Sequence, residues 1–327
     1  MKKIAVGLSI SLLSSSVLAI VNGTVVDWQN DFDDMVKNSC TGMVVGGGNI
    51  LSAAHCDDST GITFADGTVM DAVTRDDHPS YLWAADGSPY DVSIWTLSQT
   101  AQTQNIHYFA DLSVSNIALG DDIKLYGFGG NNPLSYSSAS ITRLSDDYKT
   151  AFEVTSTIGD VTQGDSGGVW LNSDSNIVAI NRSIIGSRQT AGTDLTYAKD
   201  FLLEQINGWH YPTVLKGTGT QTIKVQSLHQ NPVVDAAYVA GDVEITGGTC
   251  TLSTIEAFDT CTYELDVTGS GQLHLTTNEV IDINPVTAPP EQPPTETPSS
   301  GSGASLGFLS LFGLALFGCL RRKEGEI

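Results

Sequence analysis

Apolar and polar residues alternate with a period of two along much of this chain. After Asp91 the run is Val92-Ser93-Ile94-Trp95-Thr96-Leu97, and Ile123-Lys124-Leu125-Tyr126 follows later. Thr222-Ile223-Lys224-Val225-Gln226, Val243-Glu244-Ile245, Tyr263-Glu264-Leu265-Asp266-Val267 and Gln272-Leu273-His274-Leu275 repeat the pattern. Successive side chains of a strand face opposite sides, so these runs predict strands with one buried face. Clusters of Gly, Asp, Asn and Ser, such as Gly127-Phe128-Gly129-Gly130, predict the turns between them. Many short strands with frequent turns describe an all-β chain, a barrel or a sandwich. One segment departs from the period. Over residues 200–209 apolar positions recur every three to five residues, which predicts a short helix capped by Asp200.

The two ends carry longer apolar stretches. Residues 4–18 follow the basic Met1-Lys2-Lys3 and run into Val17-Leu18-Ala19. A basic start, an apolar middle and small residues at the end predict an export signal cleaved after Ala19. A membrane anchor is the alternative, opposed by the shortness and serine content of the stretch. Residues 306–320 are apolar and precede Arg321-Arg322-Lys323, predicting a short membrane helix with its basic end in the cytoplasm. The Pro, Thr, Glu, Ser and Gly of residues 286–303 cannot form a core and predict an extended linker. The expected organisation is therefore 1–19 signal peptide, 20–210 first β region, 211–285 second β region, 286–303 linker and 304–327 tail. The second β region suits a small β-sandwich of immunoglobulin-like type acting as a spacer or docking module. Its His229 and His274 read as surface residues rather than ligands.

Charge narrows the partners. A net charge of −22 repels phosphate backbones and argues against nucleic acid. The doublets Asp33-Asp34, Asp57-Asp58, Asp76-Asp77, Asp121-Asp122 and Asp146-Asp147 read as solvated loops. Asp66, Asp71 and Asp76 form an oxygen-rich stretch where Ca²⁺ could bind, without EF-hand spacing. No other metal or cofactor is expected. Cys250 and Cys261 could pair, and the odd cysteine, Cys319, falls in the tail.

Candidate chemistry concentrates in Gln163-Gly164-Asp165-Ser166-Gly167-Gly168. A serine hydroxyl is a weak nucleophile until a base stands beside it. Glycines let backbone N–H groups approach a substrate carbonyl. The bland alternative is a Gly-rich turn. Upstream stand Leu51-Ser52-Ala53-Ala54-His55-Cys56 and Tyr90-Asp91. In this order of His, Asp and Ser the motifs resemble the chymotrypsin-like (trypsin-like) serine protease family. The resemblance implies a double β-barrel over about residues 20–209, closed by the C-terminal helix. It implies Ser166 as nucleophile, His55 as general base and Asp91 as the residue that orients His55. It further implies an oxyanion hole from the N–H groups of Gly164 and Ser166, and a Cys40–Cys56 disulfide beside the base. A disulfide fits an oxidising compartment.

Ile20-Val21-Asn22-Gly23 resembles the mature N-terminus of the same family, so the freed ammonium of Ile20 is expected to pair with Asp165. The plainer reading is that Ile20-Val21 opens a first strand. Asp160, six residues before Ser166, stands where trypsin has its pocket-base carboxylate, and Gln163 also matches trypsin. Together they imply selection of Arg or Lys at P1. Thr162 replaces a pocket cysteine, and Asn181-Arg182-Ser183-Ile184-Ile185-Gly186 departs from the usual pocket wall. Arg182 is placed to neutralise Asp160, and Leu195 to narrow the slot. The tail, with Gly301-Ser302-Gly303-Ala304-Ser305 before its apolar stretch, resembles a GlyGly-CTERM sorting signal. That implies processing by a rhomboid-type peptidase after signal peptidase has acted, with a permanent anchor as the alternative. The expectation is a secreted or cell-surface-anchored serine endopeptidase, exported through the periplasm and acting on proteins and peptides. Two other readings stand beside it: a protease of non-tryptic specificity, and a catalytically silent binding protein on the same fold.

Overall fold

A computed structural model describes residues 20–83, 88–115, 117–129 and 133–286. The expected signal peptide, nearly all of the linker and the sorting tail lie outside these residues. Among the described residues, three sheets carry the architecture. The first has seven antiparallel strands in the spatial order Val69–Met70, Ile62–Thr63, Met35–Lys37, Thr41–Val45, Asn49–Ser52, Ser93–Leu97 and Ala72–Asp77. The second runs Thr24–Val25, Ser135–Arg143, Ala151–Ile158, Gln189–Asp194, Ile177–Gly186, Val169–Leu171 and Asp122–Gly127. A further pairing of Ser135–Arg143 with Asp122–Gly127 closes this sheet into a ring. These two sheets make the double β-barrel that the resemblance implied.

The alternation read from sequence is the alternation of burial. Ser135–Arg143 turns every second residue to the barrel interior over most of its length. Thr41–Val45 is buried at every position, because one face fills its own barrel and the other meets the second. One apolar cluster joins Met35, Met43, Ile50 and Trp95 of the first barrel to Val169, Ile180, Phe201 and Leu202 beyond it. Ile123, Leu125, Phe152, Val154 and Trp170 fill the second barrel. Each such side chain contributes roughly 1.5–3 kcal/mol on burial.

The helix is shorter than expected. It spans Lys199–Ile206 after a 3₁₀ turn at Leu195–Ala198. Asp200 does not cap it: the N-cap position is Ala198, without a side-chain hydrogen bond, and Asp194 caps the 3₁₀ turn instead, accepting from the Thr196 amide at 2.9 Å. The helix stops because Asn207 turns to φ 37° and Gly208–His210 pairs with the strand Gly219–Leu228.

That pairing places Gly208–His210 already in the third sheet, ahead of the boundary expected at residue 211. Nor does a two-sheet immunoglobulin-like sandwich form. A single six-stranded sheet contains Gly208–His210, Val214–Leu215, Gly219–Leu228, Tyr238–Gly247, Thr260–His274 and Val280–Ile283, with one parallel pair. The reason is the length of Thr260–His274. Its first half pairs with Gly219–Leu228 and its second half with Val280–Ile283, so one strand spans what two sheets would divide. Cys250–Cys261 is a disulfide at the edge of this core, as is Cys40–Cys56 in the first barrel.

The third sheet is fastened to the barrels by buried polar groups. His210 donates from Nε2 to the His107 carbonyl at 2.8 Å and accepts from the Gly46 amide at Nδ1 at 3.2 Å. Burial pushes its pKa down to about 4, so this two-sided pattern belongs to the neutral ring. The Gln226 amide accepts from Phe109 N–H and donates to the carbonyls of Phe109 and Phe258, each at 2.9 Å. Asp33 and Asp34, expected in solvent, are buried here. Asp33 accepts from the amides of Gln104 and Asn105, and Asp34 from that of His107. A backbone segment with no strand partner supplied donors that only these carboxylates could satisfy.

Gln226→Leu should lower unfolding free energy by at least about 3 kcal/mol, since three buried backbone groups lose their partners. Urea unfolding of the variant checks this, and an unchanged midpoint would refute it.

Candidate active site

Three loops converge where the barrels meet. His55 follows the strand Asn49–Ser52, Asp91 precedes Ser93–Leu97, and Ser166 precedes Val169–Leu171. Tyr90, at φ 53°, turns the chain so that Asp91 points inward. The Asp91 carboxylate is 1 % exposed. Its Oδ1 accepts from the His55 amide at 2.9 Å and its Oδ2 lies 2.7 Å from His55 Nδ1. On the other side, His55 Nε2 is 2.8 Å from Ser166 Oγ. A carboxylate on Nδ1 holds the ring proton there and leaves Nε2 free to accept from the serine hydroxyl. Thr193 Oγ1 donates to the Asp91 carbonyl at 3.1 Å and steadies the loop. The Cys40–Cys56 bridge, 16 residues in span, ties down the segment beside His55 and contributes roughly 3 kcal/mol on the loop-entropy account.

The turn before Ser166 is built on glycines for spatial reasons. Gly164 has φ 96° and Gly167 has φ 80°. A Cβ on Gly167 would lie 2.3 Å from both Ser52 Oγ and the Thr41 carbonyl. The turn is therefore pressed against the first barrel. Thr41 N–H donates to the Ser166 carbonyl at 2.9 Å, and Gly167 N–H to the Asn181 carbonyl at 2.8 Å. Among the described residues, the N–H groups of Gly164 and Ser166 donate to nothing. Gln163 is exposed at the rim.

Asp165 is fully buried and takes its hydrogen bonds from Gly129 N–H on Oδ1 and Thr162 N–H on Oδ2, both at 2.7 Å. Burial outweighs these two donors and pushes its pKa up to about 7. Ile20 is buried too, and its neighbour Val21 pairs with Asp160 through two backbone hydrogen bonds of 2.8 and 2.9 Å. The chain runs on from residue 19 into Ile20, so the Ile20 nitrogen is here an amide.

The pocket residues sit differently from expectation. Arg182 does not reach Asp160. Its guanidinium is buried, with Nη1 donating to the carbonyls of Lys149 at 2.9 Å and Ser88 at 3.3 Å. The counter-ion of Asp160 is Arg188, whose Nε lies 3.5 Å from Oδ1, both side chains about half exposed. Leu195 belongs to the main hydrophobic cluster rather than to a slot wall. Asp66 caps Thr68 and Asp71 accepts from Gly61 N–H. Among the described residues, only Cys40, His55 and Cys56 bring three ligand-type atoms within 4.8 Å, and the two cysteines are in a disulfide. Sequence reading missed Thr41, Gly129 and Arg188, which act through contacts between distant segments.

Residues 40–180 match the sequence profile of the trypsin-like peptidase domain. Over these residues the chain is similar to the trypsin-like peptidases. Two solved structures from Vibrio cholerae resemble a longer part of the chain more loosely. The protease VesB is 18 % identical, with 81 % of this chain and 98 % of that one covered at a TM-score of 0.48. The secreted serine protease VesC is 16 % identical, covering 78 % and 68 % at a TM-score of 0.45. No curated protein matches the sequence.

The buried Asp165 gives a signed pH dependence. Its folded pKa, about 7, is above its ordinary value of 3.8, so the folded state binds the proton more tightly and stability falls as pH rises through that window. In Ser166→Ala protein that retains residues before Ile20, the melting temperature should drop between pH 4 and 7. Asp165→Asn should flatten this slope. Equal slopes in the two proteins would assign the titration to other groups.

Proposed function

We propose that this chain is a serine endopeptidase. The observation that supports it best is the continuous line from Asp91 through His55 to Ser166, at 2.7 and 2.8 Å, beside two unengaged N–H groups. Ser166 Oγ attacks the peptide carbonyl carbon while its proton passes to His55 Nε2. The carbonyl oxygen becomes an oxyanion and accepts from Gly164 and Ser166 N–H. Collapse breaks the C–N bond, and the amine leaves with the proton from His55. Water then repeats the sequence on the acyl-enzyme and restores Ser166. Asp91 holds the ring tautomer and stabilises the imidazolium formed on the way.

Substrates are proteins and peptides, with Arg or Lys preferred at P1 through Asp160 and with Gln163 at the rim. Arg188 modifies that preference, because an incoming cation must displace it. An exposed ion pair is worth only about 0–1 kcal/mol, so displacement is feasible. The disulfides suit an exported protein. Cleavage after Ala19 would free the Ile20 ammonium to pair with Asp165, whose buried carboxylate has no cation beside it among the described residues. The tail, by its resemblance, adds export sorting or surface anchoring.

Ser166→Ala should abolish peptide hydrolysis and reaction with a phosphonate probe while preserving the fold. His55→Ala should be comparably severe, because the residues act as a unit. Near wild-type turnover in either variant would end the proposal. Arg188→Ala should raise kcat/KM for P1-Arg peptides several-fold, and Asp160→Ser should lower it. A peptide-library profile dominated by P1 Phe, Leu or Glu would leave the peptidase reading standing and overturn the specificity.

A further inference from the structure

Thr41 lies in the first barrel, yet its hydroxyl reaches the nucleophile turn of the second. Thr41 Oγ1 donates to the Gly164 carbonyl at 2.9 Å and accepts from Phe128 N–H at 3.1 Å. Thr41 is 1 % exposed, so water does not compete for either bond. The Phe128 amide occupies a lone pair, which leaves the single hydroxyl proton directed at Gly164. The Thr41 main chain meanwhile binds the Ser166 carbonyl at 2.9 Å. One residue thus grips the carbonyls on both sides of Asp165.

This matters because Gly164 has no side chain to hold it. Its φ of 96° places it where glycine rotates freely between peptide orientations. If its carbonyl swings, the peptide planes around it swing as well, and the Gly164 N–H no longer converges with that of Ser166. We propose that the Thr41 hydroxyl is a positioning residue for the oxyanion hole. It anchors the Gly164 carbonyl to the first barrel and so holds the turn in its donating form. The Asp165 carboxylate anchors the same turn from the other side, through Thr162 N–H and Gly129 N–H. The neighbouring residues Phe128 and Gly129 therefore serve the two anchors in parallel. On this account, part of the order of the oxyanion turn is intrinsic to the fold and does not require a freed N-terminus. The inference rests on the peptidase reading.

The test uses the full chain with a processed N-terminus. Thr41→Val keeps the volume and removes the hydroxyl, and Thr41→Ser keeps the hydroxyl. Losing an oxyanion donor outright costs about 10²–10³ in rate, so loosening one should lower kcat at least ~10-fold. KM should change less than about twofold, because the loss falls on the transition state. A peptide boronic acid, whose tetrahedral adduct on Ser166 places an oxygen in the hole, should weaken by the same factor as kcat/KM. Thr41→Ser should recover most of both. Thr41→Ala supplies a second hydroxyl-free variant should valine prevent folding, with melting temperature measured for each.

A Thr41→Val or Thr41→Ala enzyme with kcat within twofold of wild type would overturn the proposal. So would an unchanged boronate affinity, or equal losses in Thr41→Ser. Wild-type protein that does not react with the phosphonate would instead overturn the peptidase reading itself.

Discussion

Everything at the candidate site depends on how closely two backbones approach across the barrel interface. The turn around Ser166 lies against the strand Thr41–Val45 so tightly that Gly167 has no room for a Cβ. Across this contact the Thr41 N–H and hydroxyl bind the carbonyls of Ser166 and Gly164, which holds Ser166 beside His55. A side chain at residue 167 would force the barrels apart, and the 2.8 Å contact from His55 Nε2 to Ser166 Oγ would open with them. The glycines here trade conformational freedom in the unfolded chain for this proximity.

Much of this arrangement was legible in the sequence. Strand alternation is a local property, and Ser135–Arg143 and Ser93–Leu97 show it without help from tertiary contacts. The motifs around His55, Asp91 and Ser166 were legible because the proposed chemistry asks for these residue types and the fold it sits on sets their order along the chain. Both disulfides were also anticipated. What the sequence hid was long-range pairing. Arg182 was expected near Asp160 on proximity in sequence to the pocket wall, but a bulge between Asn181 and Ser183 sends its side chain toward Lys149 and Ser88. Arg188, on the hairpin between Ile177–Gly186 and Gln189–Asp194, takes the place beside Asp160.

Asp33 and Asp34 failed for a related reason. A doublet of carboxylates has the composition of a solvated loop, and nothing nearby in the sequence advertises Gln104, Asn105 and His107 as donors. The single third sheet was missed because periodicity locates strands without fixing their partners. Fifteen residues of Thr260–His274 read as separate short strands until the register shift between its Val267 and Gly271 is seen to leave the strand continuous.

The third sheet has a mechanical consequence. Its Thr213, Gln226 and His210 hold residues 101, 103, 107 and 109, all in the connection that leads from one barrel to the other. That connection joins the two halves, and His55 and Asp91 sit on one while Ser166 sits on the other. Hydrogen bonds along a connection stiffen it. The sheet beyond residue 207 is therefore better regarded as a splint than as an appendage, and the constancy of a hydrogen bond between the barrels is set partly by packing in the third sheet.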